Sequence, residues 1–233
     1  MFELYLDTVD IDQIIRFSAC LPLRGITTNP SILANANTGL HDLLPKVKEV
    51  LGEKARIHVQ IVSESADAML NEAVNLHKLP YDIVVKVPAT ETGIAAIRMM
   101  KARRIPVLAT AIYSVQQGFL AALCGADYLA PYVSRIDAIV TNGVDSIDGI
   151  GGAVVVADLQ ALIDRHQLPG RLLPASFKNM RQVLGVLNAG VPAITIPPAI
   201  AAEMVSHPAT QTAVDRFNQD WQTVFGQTMP FES

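Results

Sequence analysis

Lys86 lies inside an apolar, β-branched run, Asp82-Ile83-Val84-Val85-Lys86-Val87-Pro88. Charged side chains are seldom buried without a reason. In an apolar pocket, desolvation penalises the ammonium form and lowers the pKa of a lysine. The free amine so produced can add to a carbonyl and form a Schiff base. A plainer reading is a strand-end lysine whose stem lies on apolar surface while its head reaches water, since Pro88 ends the strand in any case. The segment alone leaves both open. Other residues with useful chemistry are Asp7, Thr27, Thr28, Asn29, Gln60, Thr110, Tyr132, Arg135 and Ser176. They offer a carboxylate, hydroxyls, amides, a phenol and a guanidinium, and whether they meet Lys86 depends on the elements that carry them.

Short apolar runs alternate with longer amphipathic ones along the chain. Strands are expected near 3–7, 24–28, 56–62, 82–87, 106–111, 126–131, 171–176 and 193–196. They are mostly apolar, as for strands buried on both faces. Helices are expected near 10–21, 40–52, 64–78, 91–104, 113–124, 154–166 and 178–189, followed by 198–206 and 209–226. Asp10 and Asp12, Ser63 with Ala66 and Asp67, and Thr90 before Glu91 read as helix starts. Gly190 falls where a left-handed C-terminal cap belongs. Eight strand–helix units point to the α/β class and a single-domain (β/α)8 TIM barrel over 1–233, with an extra C-terminal helix at about 209–226. A doubly wound sheet would call for a glycine-rich loop after the first strand, and Asp7-Thr8-Val9-Asp10 has no glycine.

In a barrel the active site lies at the C-terminal ends of the strands. Asp7 ends the first strand, Thr27, Thr28 and Asn29 the second, and Ser176 the seventh. Gln60, Lys86 and Thr110 come late in the third, fourth and fifth, and Tyr132 with Arg135 follows the sixth. Ordinary strand termination explains any one of these; seven of eight strands together favour catalysis by Lys86. Side chains two apart share a face, so an inward Lys86 carries Val84 inward and turns Val85 and Val87 to the helices. An inward Gln60 likewise places His58 one layer lower. There it is either a hydrogen-bonded core histidine, the preferred reading, or a contact with the pocket floor.

Composition narrows the function further. Half of the 233 residues are hydrophobic and 17% are charged, so much surface is hidden in a core or an oligomer interface. A net charge of −4 argues against nucleic acid as a partner, and Arg103-Arg104 reads as the polar end of a helix. Cys20 and Cys124 are far apart and have no metal-ligand spacing, so they read as buried free thiols in a reducing cytoplasm. The N-terminus lacks a signal-peptide pattern, and no apolar run is long enough to cross a membrane.

At these residues the chain resembles the transaldolase family, and within it the small fructose-6-phosphate aldolases. The matching segments are Leu4-Tyr5-Leu6-Asp7-Thr8, Gly25-Ile26-Thr27-Thr28-Asn29-Pro30-Ser31, Val84-Val85-Lys86-Val87-Pro88, Ala109-Thr110-Ala111-Ile112-Tyr113, Ala130-Pro131-Tyr132-Val133-Ser134-Arg135-Ile136-Asp137 and Ala175-Ser176-Phe177-Lys178. Gln219-Asp220-Trp221 in the closing helix fits as well. The resemblance implies a (β/α)8 barrel and class I aldolase chemistry, with Lys86 forming the Schiff base and neither metal nor cofactor required. The five histidines, at 41, 58, 77, 166 and 207, show no zinc-type spacing.

Transaldolases of this family have glutamate where this chain has Gln60, and usually phenylalanine for Tyr132 and serine for Ala130; all three choices here are aldolase-like. By position, Tyr132 is implied as the general acid/base, with a water held by Gln60 and Thr110. Asp7 orients hydroxyls and assists proton transfer. Asn29 and Thr27 hold the donor's oxygens, and Arg135 with Ser176 binds the phosphate of the acceptor aldehyde. The implied substrate is fructose 6-phosphate or a related ketose phosphate, split to dihydroxyacetone and glyceraldehyde 3-phosphate. Alternatives are a transaldolase, acting on sugar phosphates or on a modified sugar such as a sulfosugar, and a barrel that binds a sugar phosphate without catalysis. The resemblance also implies a homodecamer of two pentameric rings, with the C-terminal helix packing on a neighbour, although residues 209–226 could equally cover their own barrel. Three departures bear on the acceptor. The link 138–152 is longer than usual, and either reshapes the pocket or is a tolerated surface insertion. Pro174, lacking an N–H, is expected to cause a local bulge. His58 stands where an apolar residue is common.

Overall fold

A computed structural model describes residues 1–141 and 150–232. Strands form at Glu3–Asp7 (β1), Leu23–Thr27 (β2), Arg56–Gln60 (β3), Asp82–Pro88 (β4), Val107–Ile112 (β5), Tyr128–Pro131 (β6), Arg171–Leu172 (β7) and Ala193–Ile196 (β8). All pair in parallel, in the order β7-β6-β5-β4-β3-β2-β1-β8. Thr195 N–H donates to Pro174 O at 3.1 Å across the remaining seam, so the sheet is a nearly closed barrel. The helices are Ile11–Ser18 (α1), Pro30–Asn35 (α2), Leu40–Leu51 (α3), Ala66–His77 (α4), Glu91–Ala102 (α5), Val115–Leu123 (α6), Val133–Thr141 (α7), Gly152–Arg165 (α8), Met180–Asn188 (α9), Pro198–Val205 (α10) and Pro208–Phe225 (α11). This is the expected (β/α)8 barrel with a C-terminal helix.

Side-chain alternation divides the core. Tyr5, Val84, Leu108, Tyr128, Ala130, Leu173 and Ala193 fill the barrel interior, while Val85 and Val87 join the larger cluster between sheet and helices. The period-two reading of β4 therefore holds. At the base of the barrel Glu3 accepts from Tyr5 and Tyr128, both at 2.8 Å, and from Arg171 at 2.7 Å. Burial alone would raise the Glu3 carboxyl, but these donors hold it below its ordinary value.

The helix starts are largely side-chain caps, each satisfying an N–H that the first turn leaves free. Asp10, Thr90, Ser114 and Asn179 cap α1, α5, α6 and α9. The cap of α4 is Ser65 rather than Ser63. Ser63 is instead held by Glu72, which accepts from its N–H and its hydroxyl. Two helices were not expected. Asn29 caps the short α2, with Pro30 in its first turn, and α7 begins directly after Tyr132. Of the link 138–152, residues 138–141 continue α7 and Gly151 is the N-cap of α8; 142–149 lie outside the described residues.

Pro174 does not produce the expected bulge. The register set by Tyr128↔Arg171 and Leu129↔Leu172 is kept through Tyr132↔Ala175. Leu173 and Ala175 donate to Leu129 and Pro131, so the donor that proline lacks falls on the open seam towards β8, where no ladder needs it. β7 is accordingly shorter than the run 171–176. Register shifts lie instead between β1 and β2, at Leu4 and Tyr5, and on β5, between Ala109 and Ile112, where Ala111 takes a left-handed φ of 54°. Bulges re-aim side chains beside active sites, and the one on β5 carries Thr110.

Gly25 fixes the contact of β2 with β3. A Cβ there would lie 1.7 Å from Arg56 O. Gly25→Ala must push the two strands apart and is expected to cost about 3 kcal/mol or more. A urea titration of both proteins measures it; a midpoint shift within error would refute this account.

Candidate active site

The C-terminal ends of the strands enclose a cavity of about 150 Å³ lined by Asp7, Asn29, Lys86, Tyr132, Arg135 and Ser176. Ala175, Phe177, Lys178 and Pro197 complete its wall. Six of the nine residues to which the family resemblance gives a role thus meet in one space. The other three lie behind it. Thr27 and Thr110 are fully buried, and Gln60 sits opposite Lys86 in the β3–β4 register.

Lys86 is only 5% exposed. Its Nζ donates to the backbone carbonyl of Thr28 at 2.6 Å. That carbonyl neutralises no charge, and burial lowers the Lys86 pKa from its ordinary value, opposed by the negative charge of Asp7. The plainer reading, a head group snorkelling to water, does not hold. Thr27 donates to Asp7 Oδ1 at 2.7 Å and also lies 2.7 Å from the Thr195 hydroxyl. A hydroxyl has one proton, so Thr195 donates to Thr27, and the chain of hydroxyls orients the Asp7 carboxylate.

Tyr132 shares a hydrogen bond of 2.9 Å with Thr110. Burial raises its phenol above the ordinary value, against the lowering effects of the Thr110 bond and the Arg135 charge. The phenol therefore stays protonated at neutral pH. Arg135 lies over the Tyr132 ring at 4.8 Å and donates to Tyr113 at 3.4 Å. Ser176 adopts a left-handed φ of 64°, and its hydroxyl is 2.9 Å from that of Ser134. Such backbone is strained for a residue with a Cβ and is held by its surroundings; Ser134 N–H donates to Ser176 O at 2.8 Å. Asn29 spends its Oδ1 on the N–H of Ile32 as the cap of α2, which leaves its Nδ2 protons for the cavity.

His58 corrects an expectation. It is fully buried, but neither ring nitrogen has a hydrogen-bond partner. It packs edge-on between Tyr5 and Tyr128, with centroids 4.8 and 5.1 Å away. Burial, with the charges of Lys86, Arg56 and Arg24, drives its pKa well below the ordinary value. It is a neutral aromatic filler and does not line the cavity. Among the described residues, no group of three or more His, Cys, Asp or Glu is placed to hold a metal ion.

The profile of the transaldolase/fructose-6-phosphate aldolase family matches residues 4–230. The chain belongs to that family. Solved structures add the fold alone. A double mutant of flavocytochrome b2 with sulfite bound is similar at a TM-score of 0.58 and 11% identity, over 87% of this chain and 58% of that one. A mutant of the same protein with benzoylformate gives 0.57 and 11% over the same shares. This chain thus spans 58% of the length of those structures.

In this transaldolase-family barrel the residues that support the cavity carry less sequence signal than those that line it. Lys178 lines the cavity, Ser134 and Tyr113 hold the lining residues Ser176 and Arg135, and Thr195 holds Thr27 behind Asp7. Lys178 sits two residues from Ser176 in a strand-end run, a signal that was available. Thr195 gave none, being one hydroxyl within an apolar strand.

Proposed function

We propose that the protein is a class I aldolase that splits fructose 6-phosphate, or a related ketose phosphate, into dihydroxyacetone and glyceraldehyde 3-phosphate. The observation that carries this is the buried amine of Lys86 in a cavity it shares with Asp7 and Tyr132. The free amine adds to the C2 carbonyl, and the carbinolamine loses water to give an iminium ion. A base removes the C4 hydroxyl proton, the C3–C4 bond breaks, and its electron pair moves into the iminium as an enamine. The aldehyde phosphate leaves. Protonation at C3 and hydrolysis then release dihydroxyacetone and restore the amine.

Tyr132 moves these protons, through a water held by Gln60 and Thr110. Asp7 orients hydroxyls, and Asn29 and Thr27 hold the donor. Arg135 and Ser176 receive the acceptor's phosphate, for which guanidinium offers a rigid set of donors. An uncharged Gln60 adds no carboxylate that would favour protonated Lys86. The test is fructose 6-phosphate alone. Free dihydroxyacetone in amounts well above enzyme supports the aldolase. Release only when an acceptor aldose is added would identify a transaldolase. Binding with neither release nor a reducible adduct would leave a non-catalytic barrel.

We further propose a cytoplasmic homodecamer of two pentameric rings, the whole of 1–233 acting as one domain. Both cysteines are free, though Cys20 is exposed and Cys124 half-buried where buried thiols were expected, and among the described residues no helix is long and apolar enough to cross a membrane. α11 buries no residue, so it does not cover its own barrel, and Phe217, Val224 and Phe225 are exposed on it. An exposed apolar face of this kind marks an interaction surface. Removing residues 208–233 should shift sedimentation to smaller species; an undiminished assembly would refute the role of α11.

A further inference from the structure

Asp137 carries none of the roles assigned so far, yet it joins three elements at the acceptor end. It lies on α7, two residues after Arg135. Its Oδ1 accepts from Gly152 N–H at 2.7 Å. Gly152 opens α8, whose N-cap Gly151 has no side-chain cap of its own, so the carboxylate caps that helix from outside, on the side favoured by the helix dipole. The approach depends on glycine, because a Cβ at Gly152 would lie 2.5 Å from Val133 O. The other oxygen, Oδ2, accepts from Gln182 Nε2 at 2.7 Å. Gln182 in turn accepts the N–H of Lys178 on its Oε1 at 2.8 Å.

The relay has a fixed polarity. Carboxylate accepts from amide, and amide oxygen accepts from the Lys178 backbone. Turning the Gln182 amide over would set two donors, or two acceptors, against each other at both ends. The carboxylate therefore fixes the amide, and the amide fixes the start of α9 relative to α7. Arg135 stands on one side of this clamp and Ser176 to Lys178 on the other, all lining the cavity.

We propose that Asp137 is a positioning residue which, through Gln182, sets the spacing of Arg135 and Lys178 and so the affinity for an anionic acceptor aldehyde. The inference rests on the proposed reading of this end as the phosphate site. Lys178 then adds a second cation to Arg135. Asp137 touches neither Lys86 nor Tyr132, so donor chemistry is independent of it.

The test compares aldol addition of dihydroxyacetone to glyceraldehyde 3-phosphate and to unphosphorylated glyceraldehyde. Asp137→Asn can satisfy Gly152 or Gln182, but not both. It should raise KM for the phosphorylated aldehyde about tenfold, the effect of one charge-assisted hydrogen bond. KM for glyceraldehyde, kcat, and borohydride trapping of dihydroxyacetone on Lys86 should stay within twofold. Gln182→Met, which leaves the α8 cap intact, should act likewise and covers the case in which Asp137→Asn fails to fold. The double change Asp137→Asn with Gln182→Glu reverses the relay, amide donating to carboxylate, and should restore the phosphorylated KM at unchanged net charge. The inference is overturned if KM rises equally for both aldehydes, if kcat or trapping falls instead, or if the folded double variant does not recover. A wild-type protein that neither traps dihydroxyacetone nor adds it to either aldehyde would overturn the aldolase reading and this inference with it.

Discussion

Lys86→Met is expected to abolish borohydride trapping of dihydroxyacetone and to lower ketose-phosphate cleavage about a thousandfold or more. Removal of a covalent nucleophile is among the costliest changes to an active site. Methionine has similar length and little polarity, so it fits the apolar surroundings of Nζ. The loss falls on Thr28 O, whose 2.6 Å donor disappears. The variant should nevertheless fold, because the burial penalty on the ammonium form disappears with it. The folded-state pKa of Lys86 is lowered from 10.5. Between that lowered value and 10.5 the unfolded chain binds more protons than the folded one, so the lysine's contribution to stability rises with pH across that window. Below the window its penalty is fully present; above 10.5 it is gone. Thermal melts should show the methionine protein gaining on wild type at lower pH, with the gap closing towards 10.5. The same shift moves the acid limb of wild-type activity below the ordinary lysine range, since only the free amine adds to the ketone. An adduct that persists in Lys86→Met, mapped to another lysine, would sink the assignment.

The sequence carried the barrel because its signal is redundant. Short apolar strands repeat eight times, and the inward alternation of Val84 and Lys86 agrees with the outward Val85 and Val87. The strand-end rule then brought Asp7, Asn29, Lys86, Tyr132, Arg135 and Ser176 together from five strand ends. What was not legible depends on three dimensions. The expected bulge at Pro174 followed from its missing N–H alone. Which neighbour that N–H would face depends on register, and the neighbour is the open seam to β8. The bulge on β5 has no local marker, since Ala111 is not a glycine and is held left-handed by its surroundings. His58 read as a hydrogen-bonded core residue because polar groups in cores usually find partners; Tyr5 and Tyr128 present ring edges and faces, while their hydroxyls go to Glu3. α7 was hidden because its apolar positions, Val133 and Ile136, lie within the run that carries Tyr132 and Arg135, where chemistry and packing share one stretch of chain.

Tyr132→Phe is expected to keep the imine and lose the proton transfer. The substitution removes only the hydroxyl, so the ring can still lie under Arg135 and edge-on to Tyr113, 4.8 and 5.8 Å away in the native protein. Trapping of dihydroxyacetone on Lys86 should survive, with KM little changed. kcat for cleavage should fall about 10²–10⁴-fold, the range of a positioned acid/base. Burial raises the Tyr132 phenol above its ordinary value of 10.0, so the group is a proton donor throughout the neutral range. Proton return to the enamine needs this form, whereas removal of the C4 hydroxyl proton needs an acceptor, the part that the proposed mechanism gives to a water relay. The alkaline limb of kcat should accordingly lie above the ordinary tyrosine range in wild type and be absent from the variant. Thr110→Val separates the two parts of this account. It deletes the 2.9 Å partner of the phenol while leaving the phenol itself, and should give a smaller loss than Tyr132→Phe. The Thr110 bond lowers the phenol pKa in the native site, so its removal should move the alkaline limb further upward. The resemblance, by which transaldolases usually carry phenylalanine at this position, gives the result a second edge. If protonation of the enamine by Tyr132 is what frees dihydroxyacetone, the Phe variant retains an enamine long enough for an acceptor aldose to capture it. Transfer should then fall less than release. Equal losses in both, with the pH profile unmoved, would show that Tyr132 shapes the pocket without handling the proton.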